Sequence, residues 1–269
     1  MRVVIRDDAE SLSHFTAAYI AAKINHFSKT GKMFNIICPC GKSPFQVYKM
    51  LSKMCSEGRV SFANVRIFQM DEFYGLPKDS DKTQRNQLYE TPLKNVDLKP
   101  ENIYMFDAWV PFGELDKECE RYEEEIERLG GIDFSFFGTG ADGHLARNEP
   151  GSSLQSSSRK TFLAHDTRLT LSERWGMDLE EIPKFTVTVG TKTLFEARDV
   201  LVIFSGVSRA HSLEMCLEHG VNHMFPVSVF QSHKSCIFVC DEDSTNELRV
   251  KTVHYFKSID ETAKIAFDN

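Results

Sequence analysis

Three segments of the sequence place acidic, basic and imidazole groups beside glycine or proline. They are residues 39–44 (Pro-Cys-Gly-Lys-Ser-Pro), residues 71–75 (Asp-Glu-Phe-Tyr-Gly) and residues 138–144 (Gly-Thr-Gly-Ala-Asp-Gly-His). Each segment follows a short apolar run of the kind that predicts a β-strand. Ligands of open α/β sheets bind beyond the carboxyl ends of the strands, so these segments are the candidate site.

Proton transfer is the chemistry that the third segment could perform. Asp142, His144 and Glu149 combine one imidazole with two carboxylates, next to glycines that allow close approach of a ligand. A neutral histidine can move protons near pH 7, and neighbouring carboxylates raise its basicity and fix its tautomer. The same three groups could instead hold a metal, or the histidine could be a structural residue paired with one acid. Because no cysteine or second histidine lies nearby in the sequence, we favour a site without a metal.

The acidic pair Asp71 and Glu72 directly follows an apolar run. Successive side chains of a strand point to opposite faces, so one carboxylate should project into the site and the other away from it. Asp71, at the strand end, is the better candidate for a base. A strand-end acidic pair could equally cap a helix or form a salt bridge.

The first segment resembles an anion site. Gly41, Lys42 and Ser43 stand at the predicted start of a helix, where free amides and the helix dipole favour a phosphate. It is not a Walker loop, because the required leading glycine would fall at Ile36. A turn glycine followed by a capping serine is the alternative explanation.

The spacing of Gly138, Gly140 and Gly143 matches the dinucleotide-binding fingerprint. That fingerprint requires a helix to continue from the last glycine. Pro150 and Gly151 interrupt any such helix, which argues against a nicotinamide enzyme.

Alternating short β-branched or aromatic runs and longer amphipathic runs must position these segments. This alternation predicts an α/β fold: a single three-layer, Rossmann-like domain over residues 1–269 with a mostly parallel open sheet. Residues 75–85 and 151–159 are expected to be functional loops. The predicted strands cover residues 2–6, 34–38, 65–70, 132–137, 185–189, 200–205 and 235–240, and the predicted helices cover residues 10–27, 44–57, 113–129, 208–219 and 245–256.

Composition narrows the class of partner. The 269 residues carry 32 Lys and Arg against 39 Asp and Glu, a net charge of −7 that argues against a nucleic-acid binder. No apolar run approaches the roughly 18 residues needed to span a membrane. Seven cysteines, an odd number, and a start without a signal-peptide pattern lead us to expect reduced thiols and a cytoplasmic enzyme.

The chain resembles the glucosamine-6-phosphate deaminases of the 6-phosphogluconolactonase superfamily nearly from end to end. The likeness is densest in five blocks, at residues 70–77 (Met-Asp-Glu-Phe-Tyr-Gly-Leu-Pro), 142–150 (Asp-Gly-His-Leu-Ala-Arg-Asn-Glu-Pro), 165–168 (His-Asp-Thr-Arg), 220–224 (Gly-Val-Asn-His-Met) and 240–242 (Cys-Asp-Glu). The resemblance implies conversion of glucosamine 6-phosphate to fructose 6-phosphate and ammonia without a metal or organic cofactor.

The resemblance also implies roles for four residues. His144 would accept the proton in ring opening, supported by Asp142 and Glu149, and Asp71 would carry a proton between carbons 2 and 1 through an enediol-type intermediate. An aldose–ketose shift needs one base to open the ring and another over adjacent carbons, so the residue types fit. A small sugar phosphate is the expected partner, and a homo-oligomer is possible.

Several positions depart from the family pattern at the phosphate end. Cys40 and Lys42 change the first loop, Glu173 replaces an arginine with Arg174 beside it, and Arg209 replaces a lysine. The substrate-binding set expected for this chain is therefore Cys40, Gly41, Lys42, Ser43, Arg174 and Arg209.

Two further departures affect the lid and the third segment. Residues 83–85 are Thr-Gln-Arg where the family has Ser-Tyr-Tyr, and Arg147 stands where it has phenylalanine. The departures allow three interpretations: relocated cations, a preference for another amino-sugar phosphate or for the aminating direction, or a non-catalytic sugar-phosphate regulator. A 6-phosphogluconolactonase-like hydrolase is the nearest enzymatic alternative.

Overall fold

The structure, a computed structural model, describes residues 1–40 and 44–267. In this part of the chain the strands are β1 (Arg2–Arg6), β2 (Phe34–Cys38), β3 (Val65–Gln69), β4 (Asp71–Tyr74), β5 (Ile103–Tyr104), β6 (Phe134–Gly138), β7 (Arg159–Phe162), β8 (Phe185–Thr188), β9 (Asp199–Phe204) and β10 (Cys236–Asp241). The α-helices are α1 (Ala9–Ser28), α2 (Phe45–Ser56), α3 (Gln84–Glu90), α4 (Leu115–Arg128), α5 (His165–Trp175), α6 (Thr191–Phe195), α7 (Ala210–Leu217) and α8 (Val250–Phe267).

The main sheet has seven strands in the order β1-β10-β9-β6-β2-β3-β5, and every pairing in it is parallel. β2 lies inside the sheet, where Ile36 pairs with Ile67 of β3 and with Phe134 of β6. All five residues of β2 are buried. Four of the five are apolar, Asn35 being the exception, and such a mostly apolar run is what a strand covered on both faces requires.

Side-chain alternation divides the core into two layers, one on each face of the main sheet. Ile36 packs with residues of α1 and α2, whereas its neighbour Ile37 packs with residues of α4 and α7 on the opposite face. The same split separates Phe136 from Phe137. Helices therefore cover both faces, and the expected three-layer α/β architecture with a mostly parallel sheet is confirmed.

A second sheet, absent from the sequence-based expectation, holds β4, β8 and β7 in an antiparallel arrangement. The predicted strand at residues 185–189 is its central member. β4 and β7 escaped prediction because each contains charged residues and pairs with a strand far away in the sequence. Five buried residues pack in a small core of their own beneath this sheet, namely Phe73, Leu76, Leu163, Leu171 and Ile182.

Local hydrogen bonding at the amino ends decides where the α-helices begin. Asp8 accepts a hydrogen bond from the amide of Ser11 at 2.7 Å, and the Ser11 hydroxyl accepts one from the amide of Asp8, so α1 starts with a reciprocal cap. The predicted cap Ser43 lies outside the described residues. Residues 113–114 and 208–209 belong to single 3₁₀ turns that precede α4 and α7, so both α-helices are shorter than predicted.

The last helix differs most from its prediction. α8 begins at Val250 rather than at residue 245 and continues past residue 256 to Phe267. Asp260, in the added part, accepts hydrogen bonds from Arg2 at 2.8 Å and from Arg6 at 3.0 Å. This long-range contact with β1 is invisible to a local sequence pattern.

Candidate active site

Parallel pairing brings the carboxyl ends of the central strands to one edge of the main sheet. Asp71 follows β3, Asp142 and His144 follow β6, and Arg209 follows β9. Four of the expected site residues therefore come from segments that leave the same edge. This edge is where ligands of open α/β sheets bind.

His144 and Asp142 form a close pair. Nδ1 of His144 lies 2.6 Å from Oδ1 of Asp142, and the amide of His144 donates to the same oxygen at 3.2 Å. With Nδ1 bound to a carboxylate, the neutral ring carries its proton there and leaves the lone pair of Nε2 available to accept one. A side chain at Gly140 would overlap the imidazole, so this arrangement requires glycine at that position.

The electrostatics of the pair favour an ionised Asp142. Burial alone would raise the pKa of Asp142, but the hydrogen bonds and the charge of His144 outweigh burial and hold that pKa below its ordinary value. Asp142 therefore remains a carboxylate and an acceptor over the whole neutral range.

Asp71 and Glu72 point in opposite directions, as expected for consecutive residues of an extended chain. Asp71 accepts a hydrogen bond from Nε of Arg147 at 2.9 Å. Glu72 is fully buried and accepts the side-chain amide of Gln69 and the backbone amides of Phe73, Gln84 and Arg85 at 2.7–3.0 Å.

Glu72 is thus an anchor for the amino end of α3. Burial raises its pKa above the ordinary value, although its four hydrogen bonds oppose the rise. The backbone amides of Gln84 and Arg85 belong to the first turn of α3, whose free amides favour an acidic partner. The expected loop at residues 75–85 is correct for its first part only, because α3 begins at Gln84.

Glu149 does not join His144 in the way the expected triplet suggests. Its carboxylate accepts hydrogen bonds from the amide of Ala164 at 2.8 Å and from the hydroxyl of Thr167 at 2.5 Å. Within the described residues it has no hydrogen bond to His144. Glu149 therefore ties the segment after β6 to the amino end of α5.

Arg147 lies beside Asp71, although sequence reasoning recorded it only as a departure from a family pattern. Its Nε binds Asp71, its Cζ lies 4.7 Å from the ring centroid of Phe73, and its amide donates to the hydroxyl of Thr188 at 3.1 Å. The sequence feature that could have indicated Arg147 is a charged side chain in a segment bordered by glycines. Thr188, at the end of β8, gave no such signal because its register partner Asp71 is remote in the sequence.

Arg209 is one of the cations that the structure places at the sheet edge. Its Nε donates to the backbone oxygen of Thr139 at 2.8 Å and its Nη1 to the hydroxyl of Ser208 at 2.7 Å. Burial lowers the pKa of Arg209, with the charge of Asp142 opposing that change and the charge of Arg174 adding to it. Arg174, on the last turn of α5, therefore acts electrostatically on the same region.

The first loop is described only up to Cys40. Gly41, Lys42 and Ser43, three of the expected phosphate ligands, lie outside the described residues. The Cys40 side chain is 2% exposed. Burial raises the pKa of its thiol well above the ordinary value, and Cys38 and the carboxylates of Asp71 and Glu72 add to the rise. Cys40 is therefore a neutral thiol rather than a nucleophile.

The expected triplet does not form a metal-ligand cluster in the described part of the chain. The grouping found there is His211, Glu214 and Glu247, whose ligand atoms lie within 4.8 Å of one another. These residues belong to α7 and to the segment before α8, and none is among the expected site residues.

No helix in the described part of the chain is both long and apolar enough to cross a membrane.

Comparison with known proteins identifies the family. The model of the glucosamine-6-phosphate isomerase and 6-phosphogluconolactonase family matches residues 7–239. The chain belongs to this family.

Curated relatives and a solved structure agree with that membership. The chain is 42% identical to glucosamine-6-phosphate deaminase 2 of Xenopus tropicalis over 260 residues, which are 96% of this chain and 94% of the relative. It is 40% identical to the glucosamine-6-phosphate deaminase of Phocaeicola vulgatus over 97% of this chain and 98% of the relative. A solved monomeric glucosamine-6-phosphate deaminase superimposes with a TM-score of 0.84 at 26% identity, over 92% of this chain and all of the other.

Proposed function

We propose that the protein is a glucosamine-6-phosphate deaminase, which converts glucosamine 6-phosphate and water to fructose 6-phosphate and ammonia. The observation that carries the proposal is the identity of 40–42% over at least 96% of the chain to proteins named for this activity. The His144–Asp142 pair and the base Asp71, on segments from one sheet edge, supply the two proton-transfer groups that the reaction requires.

Ring opening is the first step that we assign. Nε2 of His144 accepts the proton of the C1 hydroxyl as the C1–O5 bond breaks, and Asp142 stabilises the resulting imidazolium through Nδ1. The imidazolium then gives this proton to the ring oxygen, which leaves the open-chain aldehyde. Asp71 then removes the proton from C2 of the open-chain aldehyde and returns a proton to C1. Water adds to the imine left at C2, and the carbinolamine releases ammonia.

Binding of the phosphate falls to the cations at the sheet edge. Arg209 and Arg174 are the described candidates, and residues 40–43 remain proposed ligands on the basis of their sequence. Glu149 contributes indirectly, since it holds the amino end of the helix that carries Arg174. Glu173, on the same helix, is exposed and adds a negative charge there.

We place the enzyme in the cytoplasm, as a single catalytic domain over residues 1–269. All seven cysteines are free thiols, and all except the half-buried Cys55 are buried, as in proteins of reducing compartments. Association into a homo-oligomer stays a prediction, which light scattering of the purified protein tests.

The first experiment compares glucosamine 6-phosphate, galactosamine 6-phosphate and 6-phosphogluconolactone as substrates, with enzymatic detection of ammonia, the ketose phosphate or the lactone product. We expect ammonia and fructose 6-phosphate from the first substrate. Hydrolysis of the lactone without ammonia release would instead favour the lactonase alternative. Binding of a hexose phosphate without turnover of any substrate would favour the regulator.

Replacement of Asp71 by asparagine tests the assignment of the base. Asp71→Asn should lower kcat by at least about 100-fold, because the amide cannot accept the C2 proton, and it should leave ligand binding largely unchanged. The matched control is Asp116→Asn, at an exposed aspartate that pairs with Lys160 on the surface. Near-normal kcat in Asp71→Asn would remove Asp71 from the mechanism.

A further inference from the structure

Arg147 is fixed to the face of β4 that carries Asp71 and Phe73. These two residues are separated by one position, so they share a face of the strand, and the arginine contacts both. The segment reaches this position through Ala146, whose φ of 49° is unusual for a residue other than glycine. The backbone amide of Arg147 also donates a hydrogen bond to the hydroxyl of Thr188.

The contact between Arg147 and Asp71 leaves hydrogen-bonding atoms of both side chains without a partner among the described residues. Nε of Arg147 binds Oδ2 of Asp71, and the two side chains are 17% and 10% exposed. Among residues 1–40 and 44–267, no hydrogen-bond partner contacts Oδ1 of Asp71 or either Nη of Arg147. One acceptor oxygen of Asp71 and the two NH₂ groups of the Arg147 guanidinium are therefore available to a ligand at this point of the sheet edge.

The isomerisation step in the proposed function needs both kinds of group. When a base removes the proton from C2, the C–H electron pair forms the C1–C2 double bond and the electrons of the C1 carbonyl move onto O1. O1 carries the negative charge of an enolate until Asp71 returns the proton to C1 and the nitrogen lone pair forms the C2–N double bond. O1 then takes a proton from the iminium nitrogen, which gives the C1 hydroxyl and the neutral imine. A donor aimed at O1 stabilises charge that exists only in the transition state and intermediate.

We propose that Arg147 is a catalytic residue that performs two tasks in the isomerisation. Through Nε it orients Asp71 with Oδ1 towards C2, and through Nη it donates hydrogen bonds to O1 as negative charge develops there. This inference rests on the proposed function and deepens it. The opposite role is a latch, in which the ion pair merely occupies the site and ligand must displace it.

The test is steady-state kinetics with glucosamine 6-phosphate on Arg147→Met and Arg147→Lys. Methionine keeps the unbranched apolar stem against Phe73 and removes the charge. We expect Arg147→Met to lower kcat by about 100-fold with KM changed less than about threefold, because the lost interaction is made mainly in the transition state. Lysine keeps the charge without the forked geometry, so Arg147→Lys should recover part of the loss. The matched control is Arg128→Met, at an exposed arginine on α4 that pairs with Glu125.

Several results would overturn the inference. An unchanged kcat in Arg147→Met would leave the arginine without a catalytic task, and a higher kcat would identify a latch. A raised KM with an unchanged kcat would show that Arg147 contributes only to binding of the ground state. If circular dichroism shows that Arg147→Met is unfolded, Arg147→Lys decides the test, and a kcat equal to that of the wild type overturns the inference. A wild-type protein that releases no ammonia refutes the proposed function itself, which is a separate outcome.

Discussion

His144 and Asp71 are each oriented by a hydrogen bond with one neighbouring side chain. Each side chain has two atoms that can bind a proton, and a neighbour binds one of them and leaves the other available: Asp142 binds Nδ1 of His144, and Arg147 binds Oδ2 of Asp71. An acid–base group held in this way has one defined orientation before substrate arrives. Such preorganisation lowers the cost of reaching the transition state.

The hydrogen bonds to Asp142 make a prediction about stability and pH. The folded-state pKa of Asp142 lies below 3.8, so the ionised carboxylate adds stability above that pH and this contribution is lost as the pH falls through the folded pKa. Urea unfolding of wild type and Asp142→Asn should therefore show a less stable variant at about pH 6 and a difference that shrinks below about pH 4.

The same unfolding series on Asp243→Asn provides the control. Asp243 is exposed, so its replacement should leave stability nearly unchanged across this range. A difference between wild type and Asp142→Asn that grows as the pH falls would contradict the assignment.

At the scale of elements, two carboxylates hold helices in place beside the site. Glu72 binds the amino end of α3, and Glu149 binds the amino end of α5. Each occupies the end of a helix where free amides and the dipole favour negative charge. The carboxylate beside Asp71 in the sequence is therefore explained by structure rather than by catalysis.

Replacing Glu72 by glutamine should weaken α3 specifically. A glutamine side chain has one acceptor oxygen for amides that now share two, so a buried backbone amide loses its partner. We expect Glu72→Gln to reduce the free energy of unfolding by about 1–3 kcal/mol and to speed amide hydrogen exchange in residues 84–90. Glu120→Gln, at an exposed residue of α4, is the control. Unchanged exchange in α3 would contradict the anchoring role.

The elements also show what a local pattern can and cannot predict. The sequence predicts β1 and β2 with their exact ends, because each is a short, mostly apolar run of the kind that a buried parallel strand requires. β7 reads Arg-Lys-Thr-Phe and is half-buried, so its pairing partner rather than its composition defines it. α5 was missed for a similar reason, since Leu171 is its one buried residue.

The candidate site also divides into residues that a local pattern predicts and residues that it does not. Asp71, Asp142 and His144 were predictable because they follow the apolar runs of parallel strands, whereas Arg209 was expected only from the family resemblance. The partners of Arg147 and Glu149 were not, because these contacts join segments remote in the sequence or bent by an unusual backbone angle.

At the scale of the whole molecule, both ends of the described chain meet at one side of the main sheet. β1 is an outer strand paired with β10, and α8 packs against β1. Burial alone would raise the pKa of Asp260, but the hydrogen bonds from Arg2 and Arg6 hold it below its ordinary value. The contact therefore fastens the last helix to the first strand.

Asp260→Asn tests how much this fastening stabilises the fold. The aspartate side chain is 7% exposed, whereas Arg2 and Arg6 are 41% and 17% exposed, so solvent screens part of the pair. We expect a loss of about 1–2 kcal/mol in the free energy of unfolding, measured by urea titration, with kcat unchanged. Glu101→Gln, an exposed substitution distant from α8 in the sequence, is the control. Equal stability of wild type and Asp260→Asn would show that α8 is held by its apolar contacts alone.

The position of β10 between β1 and β9 also bears on how the chain is made. The ribosome releases β1 before its neighbour β10, and strands β2 to β9 are made between the two. A nascent chain consequently exposes the edge of β9 and an unpaired β1 until residues 236–241 have left the exit tunnel. Unpaired strand edges invite association with other chains, so the edges of β1 and β9 need protection until β10 has emerged and the main sheet is complete.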